Sequence, residues 1–95
     1  MGTAHEFEVN RGSLVVNYVL SSQGISRAAR YRRKAIKWHE VKTLWTLKNS
    51  FIIFYSDTGY WVLPQDQVPQ DAKDFIRQEI KSAGARVKTL GSWRH

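Results

Sequence analysis

The five residues Phe51-Ile52-Ile53-Phe54-Tyr55 form the longest unbroken apolar run in the chain, and they constrain the fold more than any other segment. A run this short cannot cross a bilayer, which takes roughly 20 apolar residues as a helix. Turn-forming residues bound it on both sides, Lys48-Asn49-Ser50 before and Ser56-Asp57-Thr58-Gly59 after. An aromatic and β-branched run bounded in this way reads as a strand. Both of its faces are apolar, so it is expected at the centre of a sheet, covered on both sides. Gly59 in the following turn suits a positive φ.

The neighbouring segments carry the same kind of signal. Phe7 and Val9 alternate with polar residues, and Arg11-Gly12-Ser13 is a turn signal. From Leu14 to Leu20, the residues Leu14, Val16, Tyr18 and Leu20 fall on one face at strand period. Ser21-Ser22-Gln23-Gly24 is a second turn. Ile25 to Lys37 fits a strand or a helix poorly, because its apolar residues are too few to bury. An extended or loop conformation is expected there, leading into a strand at Ala35 to Trp38. Val41 to Leu47 and Tyr60 to Leu63 read as strands, and Pro64 ends the second because it has no amide to donate.

The periodicity then changes once. Ala72, Phe75, Ile76, Ile80 and Ala83 share one face at helical spacing, which predicts an amphipathic helix over Gln70 to Gly84. Pro69 precedes its start, Asp71 and Asp74 occupy its first turn, Lys81 lies near its end and Gly84 terminates it. Phe54 and Ile76 are expected in the core. The fold class expected is α+β: an antiparallel curved sheet or partial barrel of five to seven strands, capped by one C-terminal amphipathic helix. Residues 1–5 read as a flexible leader, 6–84 as a single domain, and 85–95 as a tail with a frayed end.

Composition excludes several chemistries. There is no cysteine, so disulfides, thiolate zinc sites, iron–sulfur clusters and thiol catalysis are absent. The three histidines are His5, His39 and His95, two of them near the ends. His39 beside Glu40 reads as a turn residue rather than a base. No glycine-rich phosphate loop, paired-carboxylate motif or nucleophile elbow occurs. The reading is therefore non-enzymatic, with no cofactor and no metal. Trp38 is expected in the core. Trp45 and Trp61 could pack there too, or leave one ring at a rim, and Trp93 could serve as an interfacial anchor.

Charge supplies the sharpest feature. The formal net charge is +7. Between Ile25 and Lys48 stand eight basic residues against the single acid Glu40, and the remainder of the chain is balanced. Such a segment attracts phosphate-bearing or carboxylate-bearing partners. It can also be no more than a solvated loop.

At Ile36, Trp38, Val41, Leu44 and Lys48 the chain resembles the YcxB-like domain, a small bacterial domain with a pleckstrin-homology-like fold. The resemblance continues through Phe51 to Tyr55, Val62-Leu63-Pro64, Val68, and Phe75 with Ile76 and Ile80, so that it covers residues 36–84. It implies a sheet bent into a partial barrel with a helix over one end. It also implies a setting, since such domains typically follow a pair of membrane-spanning segments and face the cytoplasm. This chain contains no such segments. The family lends no catalytic or binding residues.

The functional expectation is thus a cytoplasmic binding domain, placed at the inner face of a bacterial plasma membrane if the natural protein carries membrane-spanning segments. Its anion-binding residues are Arg27, Arg30, Arg32, Arg33, Lys34 and Lys37, and its partner is an anionic membrane surface or an acidic protein. Non-specific nucleic-acid binding is the alternative, with Tyr31 available to stack on a base. A protein-interaction scaffold that accepts a partner strand at a sheet edge is a third.

Overall fold

The computed structural model describes residues 5–90. Eight strands form two four-stranded sheets among them, with one helix. The first sheet is an antiparallel meander of β1 (His5–Arg11), β2 (Leu14–Ser21), β3 (Gly24–Ala29) and β4 (Arg32–Lys37), in that order. A 3-10 turn at Trp38–Glu40 leads to the second sheet. Its strands are β5 (Thr43–Thr46), β6 (Ser50–Phe54), β7 (Tyr60–Pro64) and β8 (Arg86–Thr89), arranged β7-β6-β5-β8. The helix α1 (Gln70–Ser82) lies between β7 and β8 in the chain.

The α+β class and the single helix agree with the sequence reading, but two open sheets replace one curved sheet and eight strands replace five to seven. The strands absent from the sequence reading are β3 and β8, and β4 begins three residues earlier than the strand expected at Ala35. The segment from Ile25 to Lys37 is a complete hairpin, β3 and β4, closed by the two-residue turn Arg30-Tyr31. Strand β4 is the outer strand of its sheet, and an edge strand tolerates charge on both faces where a central one does not. Trp38, expected at the end of this strand, instead begins the 3-10 turn. The tail expected to fray contains β8, which pairs in parallel with β5. At the other end β1 already includes His5, in register with Leu20. Trp93 and His95 lie outside the described residues.

The core lies between the inner faces of the two sheets and the helix. Sheet one supplies Phe7, Val9, Val16, Tyr18, Leu20, Ile25 and Ile36, every second residue of its strands, as the pleat requires. Leu44, Phe51, Ile53, Trp61 and Leu63 come from sheet two. Phe7 stacks on Tyr18 across the β1–β2 pair, with ring centroids 5.3 Å apart. The helix adds Ala72, Ile76 and Ile80, spaced four apart and all fully buried, while Phe75 is half-buried and Ala83 is exposed. Each buried isoleucine contributes about 1.5–3 kcal/mol by removal from water.

The connections are hydrogen-bonded rather than loose. The Trp38 indole donates to the Ser21 carbonyl at 2.7 Å, tying the inter-sheet turn to the end of β2. Gln67 pairs with the Asn10 backbone through both ends of its amide, at 2.6 and 3.3 Å. The Arg11 guanidinium donates to the Val62 carbonyl, so the far ends of the two sheets are joined. Helix α1 ends in a Schellman motif. The Ala85 amide donates to the Ile80 carbonyl (3.2 Å) and the Gly84 amide to Lys81 (3.0 Å), with Gly84 at φ +89°. This reversal aims the chain at the free edge of β5.

Strand β6 lies inside its sheet, as expected, but only one of its faces is sealed. Phe51 and Ile53 are fully buried, whereas Ile52 and Phe54 are half-buried. A single helix and a single facing sheet cover the inner side only. On the outer side β6 is covered by its own neighbours: Trp45 and Phe54 lie 4.8 Å apart and Phe54 and Tyr60 5.7 Å apart. Phe54 is therefore not a core residue. Trp38 and Trp61 are buried, and Trp45 is the ring left at the surface. No helix among the described residues is long and apolar enough to cross a membrane.

Candidate functional site

Hairpin β3–β4 sorts the six predicted basic residues by strand parity. Arg27 stands directly opposite Lys34, and Ala29 opposite Arg32. These positions share the face of Ile25 and Ile36, which are buried, so the inner face turns from apolar to cationic toward the hairpin tip. Arg33 and Lys37 fall on the opposite face, and Arg30 sits in the turn itself. The structure thus brings Arg27, Arg32 and Lys34 together. Lys37 is separated from them and borders a different hollow with Ser22, Trp38 and His39.

The three cations form one wall of an open cleft of about 550 Å³. Tyr55 and Trp61 line the same cleft, with Tyr31 and Arg33 completing its border. The aromatic rings are fixed from behind. Tyr55 and Trp61 lie 5.3 Å apart, and Trp61 meets Tyr18 edge-on at 6.2 Å. The turn after β6 is held by the Tyr55 amide donating to the Gly59 carbonyl (3.1 Å) and the Gly59 amide donating to Ser56 Oγ (2.7 Å). Gly59 is not at positive φ, contrary to the sequence reading. What requires glycine there is space: a Cβ would sit 2.6 Å from the Tyr55 ring and 2.7 Å from Ser56 Oγ.

Arg27 and Lys34 are like charges directly opposite each other, an arrangement that costs stability in a sheet. Their contacts are with neutral groups. Arg27 is half-buried, and its Nε donates to the Tyr18 hydroxyl at 3.3 Å. Lys34 Nζ lies 5.2 Å from the centre of the Tyr55 ring, a cation–π contact. Among the described residues the ion pair is Arg77 with Asp74 (3.7 Å), and His5 Nδ1 lies 3.4 Å from an Asp71 carboxylate oxygen; both contacts are remote in sequence from this hairpin. None of Arg27, Arg30, Arg32, Arg33, Lys34 and Lys37 is paired with a carboxylate among the described residues.

Chemically, the cleft presents guanidinium and ammonium donors on one side and aromatic faces on the other. It can take up an anion, and Arg27 is held in place for it by Tyr18. Among the described residues no three His, Asp or Glu side chains come together as a metal site. His39 is exposed in the 3-10 turn. Sequence reasoning identified the cationic wall but not its partners. Tyr18, Tyr55 and Trp61 lie 9 to 34 positions away from Arg27, and nothing in their local sequence links them to it.

No protein-family model matches the chain, and no curated protein or solved structure matches it significantly.

Proposed function

We propose that this is a non-enzymatic binding domain that holds an anionic membrane surface through the β3–β4 hairpin. The observation that carries the reading is the Arg27–Lys34 pair. Two cations stand opposite each other, Arg32 follows on the same face, and no carboxylate among the described residues neutralises them. An anionic headgroup entering the cleft would convert that repulsion into attraction. Each cation close to an anionic leaflet contributes about 1 kcal/mol, so the hairpin cations acting together suffice for reversible attachment. The resemblance of residues 36–84 to the YcxB-like domain supports the same setting, the cytoplasmic face of a bacterial membrane.

A second reading is favoured by one separate observation. Strand β4 is a sheet edge and four of its six residues, RRKAIK, are basic, so an acidic extended segment of a protein partner could add to it. Vesicle co-sedimentation separates the two. Binding that requires anionic lipid, weakens with salt and is lost when Arg30, Arg32 and Arg33 are all changed to Glu supports the membrane reading. Absence of binding to anionic vesicles at low salt removes it. An oligonucleotide competitor in a parallel tube tests the nucleic-acid alternative.

A further inference from the structure

We infer that the hairpin tip, Arg30-Tyr31, is the part of the domain that enters the headgroup layer of an anionic bilayer, with Tyr31 as its anchor. This inference rests on the membrane reading above and goes beyond it by assigning the element that penetrates. Tyr31 is 100% exposed, so its ring contributes nothing to the packing of the fold. The other exposed aromatic among the described residues, Tyr60, is 55% exposed and rests against Phe54. A two-residue turn places Tyr31 at the extreme end of a hairpin, beyond the last paired residues Ala29 and Arg32.

The backbone of the tip points the same way. Two tight turns of the first sheet put a positive φ at their first central residue. In the β1–β2 turn that residue is Gly12, at φ +63°, which adopts the conformation without strain. In the β3–β4 turn it is Arg30, at φ +54°, the one non-glycine residue with positive φ among those described. An arginine in the left-handed region is a local cost, and among the described residues its side chain makes no hydrogen bond or ion pair in return. Strain of this kind concentrates where a side chain is needed for binding. Here it sets a guanidinium beside an exposed ring.

The combination fits an interface better than a groove. Tyrosine has an apolar ring and a polar hydroxyl, and such side chains settle at the headgroup level. Arg30, Arg32 and Arg33 lie within two residues of it and would reach the phosphates around it. A single-stranded nucleic acid is tracked by successive stacking rings along a groove. Of the three rings that border the cleft, Tyr31 alone is fully exposed; Trp61 is buried and Tyr55 half-buried, so successive bases would find one free ring, on a projecting point.

The test uses the whole chain, isotopically labelled, with phosphatidylcholine vesicles with and without phosphatidylserine and a small proportion of nitroxide-bearing lipid. Amide signals of Arg30 to Arg32 should be attenuated only with the anionic vesicles. Signals of Ser22 and Gln23, in the turn at the opposite end of the meander, should be spared. Tyr31→Ala should weaken vesicle binding about fivefold with unchanged Tm, while Tyr31→Phe keeps most of it. If wild type binds anionic vesicles but the tip is attenuated no more than Ser22 and Gln23, and Tyr31→Ala binds normally, the inference fails and the membrane reading stands. Failure of the wild type to bind overturns both. Displacement by an oligonucleotide, with Tyr31→Ala weakening oligonucleotide binding, overturns both in favour of nucleic acid.

Discussion

Gly24→Ala is a change whose sign depends on which of two effects dominates. Gly24 opens β3 and is not at positive φ. Judged on backbone entropy alone, alanine should stabilise by about 0.4–1 kcal/mol. The packing argues the opposite. A Cβ at this position would fall onto the Ile36 carbonyl oxygen, 2.9 Å from the Lys37 Cα and 3.0 Å from the Ile36 carbonyl carbon. All three atoms are backbone of β4, so no side chain can swing aside. The strands must part at the Gly24–Lys37 register pair, next to the buried Ile25–Ile36 pair. Overpacking costs about 1–3 kcal/mol and a lost ladder hydrogen bond about 1. After the entropic gain, a net loss of about 2–3 kcal/mol remains. In a domain of this size that lowers Tm by roughly 10–20 °C. Gly12→Ala is the matched control, since a Cβ there meets nothing within 4 Å but the residue holds φ +63°. It should lose only about 1 kcal/mol. Thermal and urea unfolding followed by tryptophan fluorescence would measure both. A Gly24→Ala protein as stable as wild type, or more so, would refute the steric argument.

Arg30→Gly should stabilise the fold by about 0.5–1 kcal/mol by relieving the left-handed backbone. The same change should weaken binding to anionic vesicles, so that chemical denaturation and sedimentation move in opposite directions. Ile76→Asp buries a charge at a fully buried position and should abolish cooperative unfolding. Phe54→Asp, on the outer face, should cost about 2 kcal/mol and leave a cooperative transition. Inorganic phosphate should raise the Tm of the wild type by occupying the cleft. Lys34→Gln should gain stability without phosphate and lose most of the phosphate response, as differential scanning fluorimetry would record.

Much of the architecture could be read from residue pattern because local periodicity and burial coincide there. Strands β1, β2, β6 and β7 each carry an apolar set at period two. Helix α1 carries Ala72, Ile76 and Ile80 at helical spacing, with glycine at the stop. Trp38 could be placed in the core for the same reason, since it continues the face of Ile36 at strand period. The cationic wall of the cleft was also legible, since charge density needs no knowledge of contacts. Its division was not. Strand parity joins Arg27, Arg32 and Lys34, turns Lys37 away, and could be assigned only once the segment was known to be a hairpin.

The strands that pattern could not supply are those whose stability lies in their neighbours. β3 and the first half of β4 are of this kind: β4, expected only from Ala35, has one buried residue, Ile36, and reaches back to Arg32 because β3 offers it a ladder and solvent accepts its charges. β8 buries nothing, and its four residues are exposed. It forms because the Schellman turn at Gly84 delivers the chain to the free edge of β5. Likewise, the apolar outer face of β6 read as the sign of a second covering layer. Among the described residues it is flanked by Trp45 and Tyr60 on the adjoining strands. Sequence alone determined the elements whose buried faces are written in their own residues, and the location of the positive charge. Tertiary structure decided the edge strands, which sheet each strand joined, and the meeting of the cations with Tyr55 and Trp61. Backbone pairing and close packing act between segments distant in the chain, and leave no periodic mark within either one.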